Sequence, residues 1–143
     1  MNDSTTKKQI AVYGAPVGKA RPRFSRIGGG RIYTPQRTVD YEHRIRDTWR
    51  QTYPSEDPYT GPIRVYLEVF YPIPKSTTKS DRQKMLAREI FPTKKPDIDN
   101  VIKSVLDGLQ GTAFGDDASV VSVMSYKVYS DDPHILVTIE EVS

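Results

Sequence analysis

From Ile98 to Leu109 the chain reads IDNVIKSVLDGL, with Ile98, Val101, Ile102, Val105, Leu106 and Leu109 at i, i+3, i+4, i+7, i+8 and i+11. That spacing gives a helix with one continuous apolar stripe, which has to be buried against the rest of the fold. The predicted helix runs from Ile98 to Gln110. Burying the stripe fixes what the opposite face carries: Asp99, Asn100, Lys103 and Asp107. Asp99 and Lys103 are one turn apart and are neighbours on that face. Pro96 makes Asp97 the helix entrance, in extended conformation and free to turn towards Asp99.

Two carboxylates so close repel each other. One is welcome at a helix start, where the backbone presents partial positive charge. Asp97 can be read as an ordinary N-cap, and Asp99–Lys103 as an ordinary surface ion pair contributing ~0–1 kcal/mol. Neither reading accounts for a further acidic pair downstream, Asp116-Asp117 in FGDDASVV, a turn that feeds a strand. If that strand packs beside the helix it follows, its entrance returns a carboxylate towards Asp97. Three converging carboxylates without histidine or cysteine form a hard-oxygen site suited to Mg²⁺ or Mn²⁺. Aspartate is also common in turns for conformational reasons alone. His43 and His134 lie far off in sequence and are not expected to ligate.

The remaining chain alternates strands and helices. Residues 1–8 read as a disordered polar tail, with 9–143 as a single domain. Ile10–Tyr13 reads as a first strand. A helix of about Pro35 to Thr52 follows, with Thr34 as N-cap and Tyr41, Ile45, Trp49 and Tyr53 as its stripe. Ile63–Tyr71, IRVYLEVFY, reads as a strand. A proline-bounded excursion over 72–90 contains a short polar helix from Ser80 to about Arg88. Strands Val120–Tyr129 and Ile135–Glu140 close the chain around the turn SDDP. The fold class is α+β: one domain, a mixed sheet with helices packed on it.

Charge is distributed unevenly. Residues 18–37, GKARPRFSRIGGGRIYTPQR, hold six basic residues and no acidic one. Arg21, Arg23, Arg26 and Arg31 alternate with Phe24 and Tyr33, pairing forked phosphate donors with rings that stack on bases. Gly28–Gly30 suit a hairpin tip closing at Arg31–Tyr33. A solvated, poorly ordered loop is the alternative. The pI near 9.1 leans towards an anionic partner. With Cys 0 there is no disulfide framework or thiolate metal site, which suits a cytoplasmic protein. The N-terminus lacks the apolar core of a secretory signal, and no apolar run is long enough to span a bilayer.

KPDIDN, the lysine three residues beyond it, LDGLQG and DDASVV occur in fixed order and spacing from Lys95 to Val121. Together they resemble the RusA family of Holliday-junction resolvases of bacteria and their phages. GKARPRFSR and RIYTP resemble the family's amino-terminal stretch more loosely. The resemblance implies a RusA-like fold and a homodimeric, Mg²⁺-dependent endodeoxyribonuclease, with Mn²⁺ as a possible substitute and no organic cofactor. Such an enzyme nicks two opposing strands of a four-way junction symmetrically, in recombination and repair. The family's paired aspartates match Asp97 and Asp99, its lysine matches Lys103, and the aspartate ending its DD matches Asp117, with Asp116 the lesser candidate. Asp97, Asp99 and Asp117 would hold the metal. Lys19, Arg21, Arg23, Arg26, Arg31, Lys94 and Lys95 would hold the junction arms. The chain departs from many relatives at Ser119, where they have Gln, and at Pro96, where some have a basic residue. Two other functions stay open: a branched-DNA-binding module without chemistry, and a Mg²⁺ nuclease of other structures such as flaps.

Overall fold

A computed structural model describes residues 7–142, and the elements run β1 Lys7–Tyr13, β2 Arg23–Ser25, β3 Arg31–Tyr33, α1 Gln36–Thr52, β4 Ile63–Pro72, α2 Lys79–Leu86, α3 Ile98–Leu109, β5 Val120–Ser130 and β6 His134–Glu141. The main sheet is mixed, in the order β1-β6-β4-β5. Its β1–β6 and β6–β4 pairs are antiparallel, and β4–β5 is parallel. β2 and β3 form a separate antiparallel hairpin. This is the expected α+β arrangement.

β4 alternates without a break: Ile63, Val65, Leu67, Val69 and Tyr71 all point into the core. Ile135, Val137 and Ile139 of β6 and Ile10 and Val12 of β1 extend the same apolar face. α1 closes over it with Tyr41, Ile45 and Trp49, and α3 with Val101, Val105 and Leu109. The expected fourth member of the α1 stripe, Tyr53, is only half-buried, because its hydroxyl serves the Gln9 backbone, accepting from N–H at 2.8 Å and donating to C=O at 3.0 Å. Where α1 and α3 touch, Gly108 is required. A Cβ there would meet the Glu42 carbonyl oxygen at 3.0 Å and the Ile45 side chain at 3.2 Å.

Several boundaries shift. Of the tail expected over 1–8, positions 1–6 lie outside the described residues, while Lys7 and Lys8 belong to β1, opposite Glu140 and Ile139. Their ammonium groups meet Glu140 at 3.6 Å and Glu56 at 3.1 Å, so these polar residues gain both ladder and charge partners. Pro35 rather than Thr34 occupies the N-cap position of α1, and no side chain caps it. α2 starts at Lys79 under a Thr78 cap that accepts from the Asp81 N–H. β5 and β6, although joined by a tight turn, flank β4 instead of pairing with each other. No helix among the described residues is long and apolar enough to cross a membrane.

Candidate active site

Asp97 occupies the N-cap position of α3 in the expected extended conformation, φ −67° and ψ 146°, yet its side chain caps nothing. Its carboxylate accepts from Lys95 Nζ at 3.1 Å instead. The Tyr71 hydroxyl donates to the Pro96 carbonyl, fixing the entrance of α3 to the end of β4. Burial, then the nearby Asp97 charge, pushes the Tyr71 phenol up to about 12. Asp99 and Lys103 are both exposed. Among the described residues neither makes an ion pair within 4.0 Å, with each other or with any other group. Both structural readings of these residues thus fail at their defining contact: the N-cap side chain does not cap, and the surface pair does not close.

The acidic pair downstream lies elsewhere. α3 ends at Leu109, and a tight link held by Thr112 N–H to Leu109 C=O at 3.0 Å and Gly111 N–H to Phe114 C=O at 2.7 Å keeps the chain local. β5 therefore starts beside the exit of α3 and runs back towards its entrance. With its amide nitrogen turned towards Asp117, the Gln110 carboxamide donates to the two carboxylate oxygens at 2.9 and 3.2 Å. Burial, then the charges of Asp107 and Asp116, raises the Asp117 pKa above its ordinary value. The expected convergence of Asp117 on Asp97 and Asp99 within one chain is not found: Asp117 lies near Asp107, which along α3 stands about 12 Å from Asp99 and about 15 Å from Asp97 at 1.5 Å per residue. Asp116 is engaged as a cap, accepting from the Ala118 N–H at 3.1 Å, whereas Asp117 is held by the Gln110 carboxamide. No group of three or more His, Cys, Asp or Glu among the described residues could hold a metal ion. A single chain thus does not assemble the three-carboxylate site expected for Mg²⁺.

The basic residues divide into two sets. Arg21, Arg23, Arg26 and Arg31 are exposed on and beside the β2–β3 hairpin, whose tip turns through Gly28, Gly29 and Gly30, all at positive φ. Lys94 and Lys95 are exposed before α3. Arg23, Arg37, Lys94 and Lys95 line one cleft of about 590 Å³ with Asp97, so the hairpin and the helix entrance open onto common space. Lys19 lines the same cleft but differs from the others in its partners. Its ammonium lies 2.8 Å from Glu42 of α1 and 3.0 Å from Asp107 of α3, holding the two helices together. It was expected to contact DNA, but its charge is already satisfied inside the fold.

Sequence reasoning placed Asp107 on the open face of α3 without giving it a role, and it missed Gln110 and Lys127. Asp107 stands one turn beyond Lys103, on the i, i+4 row that starts at Asp99. Lys127 donates to the Lys94 carbonyl at 3.2 Å and lies over the Tyr71 ring, which ties the far half of β5 to the α3 entrance. Only tertiary packing reveals that role.

The family described as Endodeoxyribonuclease RusA matches residues 13–140. A relative from Bacillus subtilis (strain 168), named Uncharacterized protein YqaN, is 36% identical over 139 residues, covering 94% of this chain and 96% of that protein.

Proposed function

This chain belongs to the RusA endodeoxyribonuclease family, and on that premise we propose that it resolves four-way DNA junctions by paired, symmetric nicks, acting as a homodimer. The observation that carries the reading is the state of the α3 entrance. Asp97 caps nothing there and lines a cleft shared with Arg23, Arg37, Lys94 and Lys95, while Asp99, in the first turn of the helix, is exposed and makes no ion pair among the described residues. Guanidinium and ammonium groups around that cleft grip phosphates and set the DNA strand against the carboxylates. Lys103, one turn along and without an ion pair among the described residues, neutralises negative charge that builds on the scissile phosphate as it is attacked. Exposed hairpin arginines extend the contact along a junction arm, so binding weakens steeply with salt.

Mg²⁺ dependence, with Mn²⁺ as substitute, belongs to the same proposal. Among the described residues of one chain, Asp97 and Asp99 at the α3 entrance are the carboxylates offered to such an ion. A twofold homodimer suits a junction of matching symmetry, since it presents two equivalent sites to two opposing strands.

The test compares a mobile four-way junction with linear duplex at equal concentration, with and without Mg²⁺, using the native and Asp99→Asn proteins. Cutting of the junction alone, lost in Asp99→Asn while junction binding survives, is the expected result. Equal cutting of linear duplex would remove the junction specificity. Unchanged activity in Asp97→Asn and Asp99→Asn would leave only a DNA-binding module.

A further inference from the structure

The β2–β3 hairpin forms a sheet of its own beside the four-stranded one, and its register sorts the side chains into two unlike faces. Directly paired residues of a two-stranded ribbon share a face, and neighbours along a strand alternate. Arg23 pairs with Tyr33 and Ser25 with Arg31, which gives one face two guanidinium groups and a phenol. Phe24 pairs with Ile32 between them and makes the other face apolar. Phe24 is 65% exposed and Ile32 75%, while Ile27 at the tip is 88% exposed. Gly30 permits this shape: a Cβ there would stand 2.7 Å from Phe24 Cζ, so glycine leaves the ring room to lie across the tip. Single exposed apolar side chains are ordinary on a protein surface. Three on one short cationic ribbon form a patch, and a patch calls for a ligand.

We propose that the hairpin is a strand-separating wedge: its Phe24–Ile32 face and Ile27 tip stack on the bases at the branch point of the junction, while its Arg23–Arg31 face leads the parted strand towards Asp97. The proposal rests on the junction-resolving reading and names the part of the junction that the hairpin meets. Charge selects DNA as the occupant. Residues 18–37 hold six basic side chains and no acidic one, so the ligand has to bring anionic charge next to flat apolar surface. Inside a duplex each base is covered by its neighbours in the stack. At a branch point a base pair is open end-on, with phosphates on either side of it.

Continuity with the cleft points the same way. Arg23 lines it together with Lys94, Lys95 and Asp97. A strand guided along the cationic face is therefore delivered to the carboxylate, and the apolar face, on the other side of the ribbon, meets the base pair left behind. Apolar side chains inserted between base steps unstack them in this manner. One ring and two branched chains offset the lost stacking by burial and by stacking of their own.

The test uses 2-aminopurine, whose fluorescence is quenched by stacking, placed at the branch point of a four-way junction or deep in one arm. Saturating native protein in EDTA, where no strand is cut, should raise the branch-point signal severalfold and leave the arm signal level. Phe24→Ser combined with Ile32→Ser should abolish the rise and keep junction affinity within about threefold, since the arginines remain. Ile27→Ser should lower the rise at a position where no packing is at stake. Arg23→Ala combined with Arg31→Ala should do the opposite, binding more weakly but giving the full rise once saturating. In Mg²⁺ the Phe24→Ser, Ile32→Ser protein should nick a fully paired junction about tenfold more slowly than the native protein, the scale of one lost base stack. It should regain the native rate on a junction mismatched at the branch point, whose bases are already apart. Native protein that cuts the junction without raising the branch-point signal overturns the wedge, whatever the variants do. So do serine variants of unchanged circular dichroism that keep the full rise, or that lose nicking equally on paired and mismatched junctions. A changed sedimenting mass with the rise intact would give the apolar face to a protein contact and overturn the wedge as well. Native protein that raises the signal in EDTA but cuts nothing in Mg²⁺ would instead sink the nuclease reading and leave the wedge standing.

Discussion

Lys19 and Asp107 stand 3.0 Å apart, and through Glu42, 2.8 Å from the same ammonium, they lock α1 to α3. Burial opposes the charge on Lys19, but the hydrogen bonds it donates to Glu42 and Asp107, with their negative charges, outweigh it and raise its pKa above 10.5. A lysine so engaged contributes to the fold. Lys19→Ala should lower stability by about 1 kcal/mol in a urea titration, the range of a partly exposed ion pair. It should leave the slope of log K against log salt for junction binding unchanged. Arg23→Ala should do the reverse: no loss of stability, and a slope smaller by about one.

Among the described residues, the side chains of Asp97, Asp99 and Lys103 make no hydrogen bond or ion pair that ties α3 to another helix or strand. Asp97 caps nothing with its side chain, and the other two lack ion pairs among the described residues. Asp97→Asn, Asp99→Asn and Lys103→Ala should therefore each melt within about 2 °C of the native protein, as surface changes usually do. Junction cleavage should fall by at least about a hundredfold in all three, the scale of losing a group that acts on the transition state. A melting point lowered well beyond that margin would return these residues to a structural role.

The sequence exposed the local parts of this design and concealed the relative placements. α3 could be read because an apolar stripe at helical spacing has one solution, and the alternation of β4 leaves as little choice. Asp97 and Asp99 were legible because proline and helix geometry act within a few residues. Asp117 was not. Its position depends on which way β5 leaves α3, and a chain of ten linking residues does not disclose that direction. Lys19 fails for a related reason. It belongs by sequence to a basic run, but its partners Glu42 and Asp107 lie on two different helices. Charge patterning reports what a segment carries, not what folds against it.

Glu140 gives the fold an acid-side dependence. The Tyr66 hydroxyl donates to its carboxylate at 3.0 Å, with Arg64 at 3.5 Å and Lys7 at 3.6 Å. The Tyr66 hydrogen bond, against a smaller effect of burial and with help from Lys7 and Arg64, holds its pKa below the ordinary 4.5. A carboxylate with a lowered folded pKa stabilises above its unfolded value and loses that contribution as pH falls through the folded one. Glu140→Gln should melt below the native protein at pH 7, and the gap should close as the pH falls from 4.5 through the lowered value. A gap of constant size from pH 7 to pH 3 would mean that the carboxylate charge plays no part.

Gly108 sets the distance between α1 and α3, and so the position of everything α3 carries. By helix propensity alone, Gly108→Ala should stabilise by about 1 kcal/mol. The added Cβ would meet the Glu42 carbonyl oxygen at 3.0 Å and Ile45 at 3.2 Å, and neither can swing away, one being backbone and the other fully buried. Overpacking of this kind costs typically ~1–3 kcal/mol, so the net change should be destabilising. The separation of α1 and α3 also sets the reach of Lys19 to Asp107. Pushing α3 outward should loosen that ion pair, and Gly108→Ala combined with Lys19→Ala should cost less than the two single changes added together. A double variant whose loss equals the sum would mean that helix spacing and the Lys19 bridge are independent.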